Sequence, residues 1–281
     1  MSWPALAARA RGLAGRRLAA RGDALAVEDA LQVAAADELV ILARWGDDAL
    51  APIELDEDRR SLRTIIRGLA GGVVGERRRA GAVPSRSLPA RVIAQLATAT
   101  SLGEIAAVLA KERHPYADLV AGEGAVDTLA IELALARRFA ELVCDAGDAA
   151  MRIYVAQVLD VENAAAAMLL AERGGKLAPA DAFLRGSKRL DRAAFLAACG
   201  DATRTRLARA FAGTPLAQGV LATSPSAFED AALAWHLATQ TRLRLLQPDG
   251  LAAVLSLVVR RRMEARALRR SAWRRALGGA A

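Results

Sequence analysis

The sequence predicts an all-α protein, and three observations support this prediction. Hydrophobic residues make up 54% of the 281 positions, yet only 4% are aromatic, because alanine dominates. Alanine is the strongest helix former and buries little surface, which favours thin, closely packed helices. No run of β-branched and aromatic residues alternates with polar ones over the length of a strand. Finally, one helical pattern recurs three times along the chain.

The recurring pattern begins with an acidic residue, at Asp58 (DRRSLRTIIRGLAGG), Asp160 (DVENAAAAMLLAERGG) and Glu264 (EARALRRSAWRRALGG). A small or polar residue lies three positions after each acid, namely Ser61, Asn163 and Ala267. A glycine lies fourteen positions after each acid, namely Gly72, Gly174 and Gly278. The acids lie 102 and 104 positions apart, so the sequence predicts one helical unit built three times. We expect units at 1–85, 86–187 and 188–281 within one integrated body, the first of them abbreviated.

The elements of the first unit follow from caps and periodicity. Residues 1–20 are typical of a basic helix, Asp23 can cap a second helix, and residues 35–45 form a third. Pro52 is expected to break the chain before the first signature helix. The apolar face of that helix is formed by Leu62, Ile65, Ile66 and Leu69. Gly71 and Gly72 are expected to end it.

The two later units repeat one another. Ser101 and Glu104 form a capping box, which predicts a helix start, and Asp191 opens the third unit. Turns at residues 114–116 and 213–215 contain matching prolines, Pro115 and Pro215. Long helices are predicted near 126–144 and 228–246. A final basic helix is expected after residue 250.

Few residues are suited to catalysis. The two histidines are His114, which precedes a proline and is expected at the surface, and His236, which is expected in the core. Neither stands in a metal-ligand or Ser-His-Asp pattern, and the glycine pairs follow helices instead of preceding them. Cys144 and Cys199 lack metal or redox spacing and are interpreted as buried thiols of a cytoplasmic protein. We therefore expect no catalytic, cofactor or metal site.

The acids of the three signatures are the best candidates for a structural site. The simpler interpretation is a charge near the start of each helix, where the macrodipole favours an acid by about 0.3–1 kcal/mol. The alternative is a shared polar centre, or a subunit interface, where the units meet. Its candidate residues are Asp58, Arg63, Asp160, Asn163, Glu264 and Arg269.

The formal net charge of +8 favours acidic partners. Eight arginines crowd the region 260–275, but few aromatic residues lie among them and no nucleic-acid motif is present, so a solvated or protein-facing stripe is favoured. No signal-peptide core is seen, and no segment approaches the ~20 apolar residues needed to span a bilayer. The sequence predicts a soluble protein that contacts membranes only through a partner or a surface.

These motifs, in this order, resemble those of the C-type subunit of archaeal and bacterial V-type (A-type) ATPases, which is the d-type subunit in eukaryotes. The family's E-x-N-L helices resemble the stretch 160–163, and its T-P-Y turns resemble residues 114–116 and 213–216. The closing E-x-R-N-L-R helix resembles residues 262–269. Departures are Ala164 in place of leucine and Ala267 in place of asparagine.

The resemblance implies three pseudo-threefold-related helical bundles in a funnel-shaped body without catalytic residues. It implies a central-stalk rotor subunit that links the central shaft to the proteolipid rotor ring on the cytoplasmic face of the membrane. Two other classes stay open: a helical-repeat scaffold for other proteins, and a basic nucleic-acid-binding helical protein, which is the less favoured.

Overall fold

The computed structural model describes residues 3–14, 18, 22–46, 50–120, 127–143, 148–173 and 178–278. Over these residues the protein forms fourteen α-helices and one 3-10 helix, with no strand. The prediction of an all-α fold is confirmed. The chain divides into two compact units, one made of residues 1–135 and 264–281 and the other of residues 136–263. The threefold division stays a prediction.

The first unit contains the helices of the N-terminal half of the chain and the second half of the last helix. In order, they are α1 (Trp3–Ala14), α2 (Ala24–Gly46), α3 (Ala51–Ala70), the 3-10 helix (Gly75–Arg79), α4 (Ala90–Thr98), α5 (Leu102–Lys111), α6 (Ala117–Val120) and the start of α7 (Thr128–Val143).

The second unit contains the rest of α7 and the helices that follow. They are α8 (Ala149–Arg173), α9 (Pro179–Ala182), α10 (Arg192–Cys199), α11 (Thr205–Ala210), α12 (Pro215–Leu221), α13 (Pro225–Leu246) and the first half of α14 (Leu251–Gly278).

Helix α3 forms because its apolar residues recur at helical spacing, and Leu62, Ile65 and Ile66 are fully buried as predicted. It ends at Ala70 with Gly71 as its C-cap, and the following Gly72 adopts φ +69°, a conformation that favours glycine. The expectation that Pro52 precedes the helix is wrong. The proline lies in the first turn of α3, where a missing N–H costs nothing.

Helix α2 is a single helix where the sequence predicted two. Asp23 caps it as expected, with the Ala26 N–H donating to Oδ1 at 2.8 Å. Ala24, Val27 and Leu31 then form a buried cluster with Ala272 of α14. The predicted helix over 1–20 is observed as α1, and residues 15–17 and 19–21 lie outside the described part of the chain.

The predicted cap of α5 is confirmed, and α10 has a cap as well. The Glu104 N–H donates to Ser101 Oγ at 3.2 Å, and Glu104 returns its carboxylate to the Thr100 N–H at 2.7 Å. Asp191 caps α10 by accepting from the Ala194 N–H at 2.8 Å. These caps fix where α5 and α10 begin. They also fix where the segments that precede those helices end.

Candidate functional site

The signature acids lie in the middle of their helices. Asp58 is the eighth residue of α3, Asp160 the twelfth of α8, and Glu264 the fourteenth of α14. The interpretation as a charge at a helix start is therefore wrong, because the macrodipole effect is confined to the terminal turns. Asp58 and Asp160 are instead buried, at 0% and 1% exposure, so each needs partners other than water.

The partners of Asp58 come from a segment that follows α3. Ser85 Oγ donates to Oδ1 and Ser87 Oγ donates to Oδ2, both at 2.5 Å. Arg86, between the two serines, holds Glu54 through its Nε at 2.9 Å and its Nη2 at 2.7 Å. Glu54 and Asp58 lie one turn apart on α3 and therefore face the same side of the helix. The three consecutive side chains of residues 85–87 thus all bind α3.

The third partner of Asp58 is His114, and the expectation that this residue lies at the surface is wrong. His114 is 4% exposed, and its Nε2 lies 3.2 Å from Asp58 Oδ2. Its Nδ1 accepts the Tyr116 N–H at 3.3 Å, so the ring proton belongs on Nε2 and is donated to the carboxylate. Tyr116 in turn donates its hydroxyl to the Leu55 carbonyl at 3.0 Å, which ties the predicted 114–116 turn to α3.

This combination of aspartate, histidine and serines does not have the geometry of a nucleophilic triad. In a triad the histidine accepts the proton of the serine, whereas here both serine hydroxyls donate to Asp58 and the Nδ1 of His114 is occupied by a backbone N–H. The cluster is arranged to hold a buried carboxylate. It therefore supports the expectation of a structural site.

Ser61 completes the first site one turn along α3. Its hydroxyl donates to the Val83 carbonyl at 3.2 Å and accepts the Val83 N–H at 2.9 Å. Both backbone groups of one loop residue are thus satisfied by one side chain. We call this set the first clamp: Asp58 and Ser61 of α3 together with the bound segment 83–88.

The second unit repeats the arrangement with different chemical groups. Asp160 Oδ1 accepts the N–H groups of Arg189 at 2.9 Å and Leu190 at 3.0 Å, and Oδ2 accepts that of Lys188 at 3.2 Å. Burial raises the pKa of the Asp160 carboxyl, and the three N–H groups act in the opposite direction. Asp160 therefore binds main chain where Asp58 binds side chains.

Asn163 takes the position of Ser61. Its Nδ2 donates to the Leu184 carbonyl at 2.9 Å and its Oδ1 accepts the Leu184 N–H at 2.8 Å. Ser187 Oγ closes the same segment by donating to the Leu190 carbonyl at 2.7 Å. We call Asp160, Asn163 and the segment 184–190 the second clamp.

Most residues of the two clamps correspond at a spacing of 102, whereas the backbone partners of Ser61 and Asn163, Val83 and Leu184, are 101 positions apart. Asp58 and Asp160, Ser61 and Asn163, and the buried Leu88 and Leu190 are each 102 positions apart. The serines of the two bound segments, Ser85 and Ser187, are also 102 positions apart. So are the first residues of the helices that follow, Ala90 of α4 and Arg192 of α10. Sequence reasoning missed the bound segments, although SRSLP at 85–89 and SKRLD at 187–191 carry a common pattern.

The remaining predicted site residues have other partners. Arg63 pairs with Glu132 at 2.7 Å, and Arg269 donates its Nε to Glu28 at 2.6 Å. Glu264 is half-buried. A centre shared by all three signature acids stays a prediction.

The other candidate residues of the sequence lie as follows. His236 is buried as expected, with its ring centroid 5.3 Å from that of Tyr154. Cys199 is half-buried instead of fully buried, and burial raises the pKa of its thiol. Cys144 and Gly174 lie outside the described residues. Within the described ranges, no group of three or more His, Cys, Asp or Glu residues could hold a metal ion.

Among the described residues, one helix meets the length and composition expected of a membrane span. Within Ala149–Glu172 of α8, the most apolar window of 18 residues has a mean hydropathy of 1.3, but 72% of that window is buried inside the protein. The core helix of a soluble protein meets the same criterion, so this is weak support for a span. The expectation that no segment approaches such a length nevertheless missed this helix.

The fold and the two clamps define an all-helical protein in which buried polar side chains of α3 and α8 bind the segments that follow these helices. A comparison with family models identifies the particular family. The chain belongs to the ATP synthase (C/AC39) subunit family, whose model matches residues 26–278. The resemblance to the C-type subunit of V/A-type ATPases is thereby confirmed over nearly the whole chain. No curated protein matches the chain individually.

Proposed function

We propose that this chain is a non-catalytic central-stalk subunit of a V/A-type ATPase. In this role it connects the central shaft to the proteolipid rotor ring and transmits torque between ATP chemistry and ion transport. The observation that carries the proposal is the family match over residues 26–278. The protein would be cytoplasmic and attached peripherally to the membrane as part of this complex.

The clamps support a mechanical role. A coupling protein must not deform under load, and loops are ordinarily the most deformable part of a helical protein. Here the segments 83–88 and 184–190 are held to α3 and α8 by hydrogen bonds to the buried residues Asp58 and Asp160. Hydrogen bonds to ionised groups are stronger than neutral ones, and buried satisfied networks rigidify a fold.

The coordination of Asp58 also supports a role without catalysis. The two carboxylate oxygens of Asp58 accept hydrogen bonds from Ser85, Ser87 and His114. The other ring nitrogen of His114, Nδ1, accepts the Tyr116 N–H and is therefore not available to act as a general base. The burial of Asp58 and His114 is thus explained by the hydrogen bonds that they make within the protein.

The proposal is tested by affinity purification of the tagged chain from membranes of the source cells. We expect both rotor-ring and central-shaft proteins to be recovered. Recovery of neither would contradict the proposal and would favour the scaffold alternative.

A second measurement tests the mechanical part of the proposal. In complexes with normal composition, Asp160→Asn should lower the number of ions pumped per ATP hydrolysed, because the loop it holds is loosened. Asp201→Asn is the matched control, because the Asp201 carboxylate accepts from Thr203 and from the Arg206 N–H at the start of α11, outside the second clamp. Equal pumping ratios in the two variants would contradict a coupling role for the second clamp.

A further inference from the structure

The last turns of α14 are basic, apolar and exposed. Within Trp273–Gly278, which we call the basic tip, every residue is exposed, including Arg274 and Arg275. Trp273 is 36% exposed and Leu277 is 73% exposed, and the two lie one turn apart on one side of the helix. The tip therefore presents a short apolar line beside its arginines.

The tip is held firmly at its base. The buried Glu28 of α2 accepts from Arg269 Nε at 2.6 Å and from the indole Nε1 of Trp273 at 3.3 Å. Ala272, on the inner side of the same turn, is buried against Ala24 and Val27. The helix thus reaches Trp273 in a fixed orientation, and its remaining residues face solvent.

A second exposed basic and apolar segment leads into residues that lie next to the base of the tip. Arg79, at the end of the 3-10 helix, pairs with Asp29, the neighbour of Glu28 on α2, at 3.2 Å. A Cβ added to Gly81 would lie 4.0 Å from the Cζ of Arg269. Val74, immediately before this 3-10 helix, is 75% exposed, and Arg77 within it is also exposed.

This combination fits an anionic lipid surface. Leucine, valine and tryptophan side chains can enter the boundary between headgroups and acyl chains, while arginines extend toward lipid phosphates. A nucleic acid would use the arginines but would leave Leu277 and Val74 without a role, since its backbone offers phosphates and sugars. Trp273 adds the amphipathic ring that is enriched at membrane interfaces.

We propose that the basic tip and the adjoining segment around Val74 bind the surface of a membrane that carries anionic lipids. The proposal does not depend on the coupling role, because it requires no other protein of the complex. The chain would contact lipid headgroups directly, in addition to any contact made through a partner.

The test uses the purified chain and vesicles of phosphatidylcholine with and without phosphatidylglycerol. We expect co-sedimentation with the anionic vesicles only, decreasing as salt is raised. The double variant Arg274→Gln/Arg275→Gln should bind about thirtyfold more weakly, as two charges lost near an anionic surface imply. The matched control, Arg192→Gln/Arg206→Gln, removes two exposed arginines of the second unit and should bind as the wild type does.

The fluorescence of Trp273 provides an independent measurement of vesicle binding. The difference in fluorescence between the wild type and Trp273→Phe should shift to the blue when anionic vesicles are added, because the indole leaves water. Equal binding to neutral vesicles, equal loss in both double variants, or no binding at low salt would overturn the proposal. Stronger binding to a DNA duplex than to anionic vesicles at the same salt would also overturn it and assign the arginines to a nucleic acid.

Discussion

Replacing Asp160 with alanine would remove the acceptor of three consecutive backbone N–H groups. In the wild type these groups belong to Lys188, Arg189 and Leu190, at 2.9–3.2 Å from the carboxylate oxygens. The replacement leaves the rest of α8 unchanged, since alanine is a good helix former. The change therefore isolates the contribution of the second clamp to the stability of its unit.

The expected cost follows from the burial of each donor. Lys188 and Arg189 are exposed, so water can replace much of what their N–H groups lose, whereas Leu190 is fully buried. An unsatisfied buried N–H costs about 1–3 kcal/mol, and the two other bonds each lose a smaller net amount. Removing the carboxylate also removes its desolvation cost, which offsets part of this loss. We expect the free energy of unfolding of the second unit to fall by about 2–4 kcal/mol.

Hydrogen exchange of amides 188–190 measures this cost where it arises. The chain has two compact units, so a single two-state unfolding energy is not well defined, but local exchange reports local opening. Exchange at Leu190 should accelerate by roughly thirtyfold or more, since each 1.4 kcal/mol corresponds to about a factor of ten. Asp201→Ala should leave amides 188–190 unchanged. Unaltered protection of Leu190 in Asp160→Ala would show that the carboxylate does not hold this segment.

The same residue gives a pH dependence of defined sign. Burial raises the pKa of Asp160 in the folded protein, whereas an aspartate in an unfolded chain titrates near a pKa of about 3.9. The stability linked to its protonation is complete below about pH 3.9 and is lost as the pH rises through the folded-state pKa. Asp160→Asn does not titrate, so the stability of the wild type relative to this variant should decrease from acid toward neutral pH. A relative stability that increases with pH would contradict the raised pKa.

Three further predictions concern other described residues. Asn163→Leu keeps the side-chain size but leaves both backbone groups of Leu184 without a partner. It should lower the free energy of local opening at the Leu184 amide by about 2–4 kcal/mol in hydrogen exchange, and a loss below about 0.5 kcal/mol would contradict it. His114→Leu removes one donor to the buried Asp58 carboxylate and should lower the thermal midpoint, whereas His114→Gln, which retains an N–H donor, should recover part of the loss. Because burial raises the pKa of the Cys199 thiol, this residue should react with iodoacetamide at pH 8 more slowly than a free cysteine, and faster labelling would contradict that environment.

The sequence was sufficient for the all-α fold and for several of its helices. Caps such as Asp23 and Ser101 and the apolar face of α3 are local features, so these helices could be predicted from neighbouring residues. The recurring spacing singled out Asp58 and Asp160, and both carboxylates are buried.

The partners of those acids could not be predicted from the same information. Asp58 meets Ser85 and Ser87 only because the chain returns to α3 after the 3-10 helix, and sequence periodicity says nothing about that return. His114 was expected at the surface because polar residues before a proline usually are. Its burial depends on Asp58, 56 positions earlier, which supplies the acceptor for the ring N–H.

The contact between Glu28 and Arg269 joins residues 241 positions apart, and this bears on the order in which the chain acquires its structure. The second unit, residues 136–263, is continuous and leaves the ribosome before the residues that complete the first. Until Ala272 is synthesised, the apolar side chains of Val27 and Leu31 lack part of their cover. Because long-range contacts are slow to close, nascent chains should expose this stretch of α2 longest. Chaperone binding and proteolytic cleavage during synthesis are therefore expected to concentrate there.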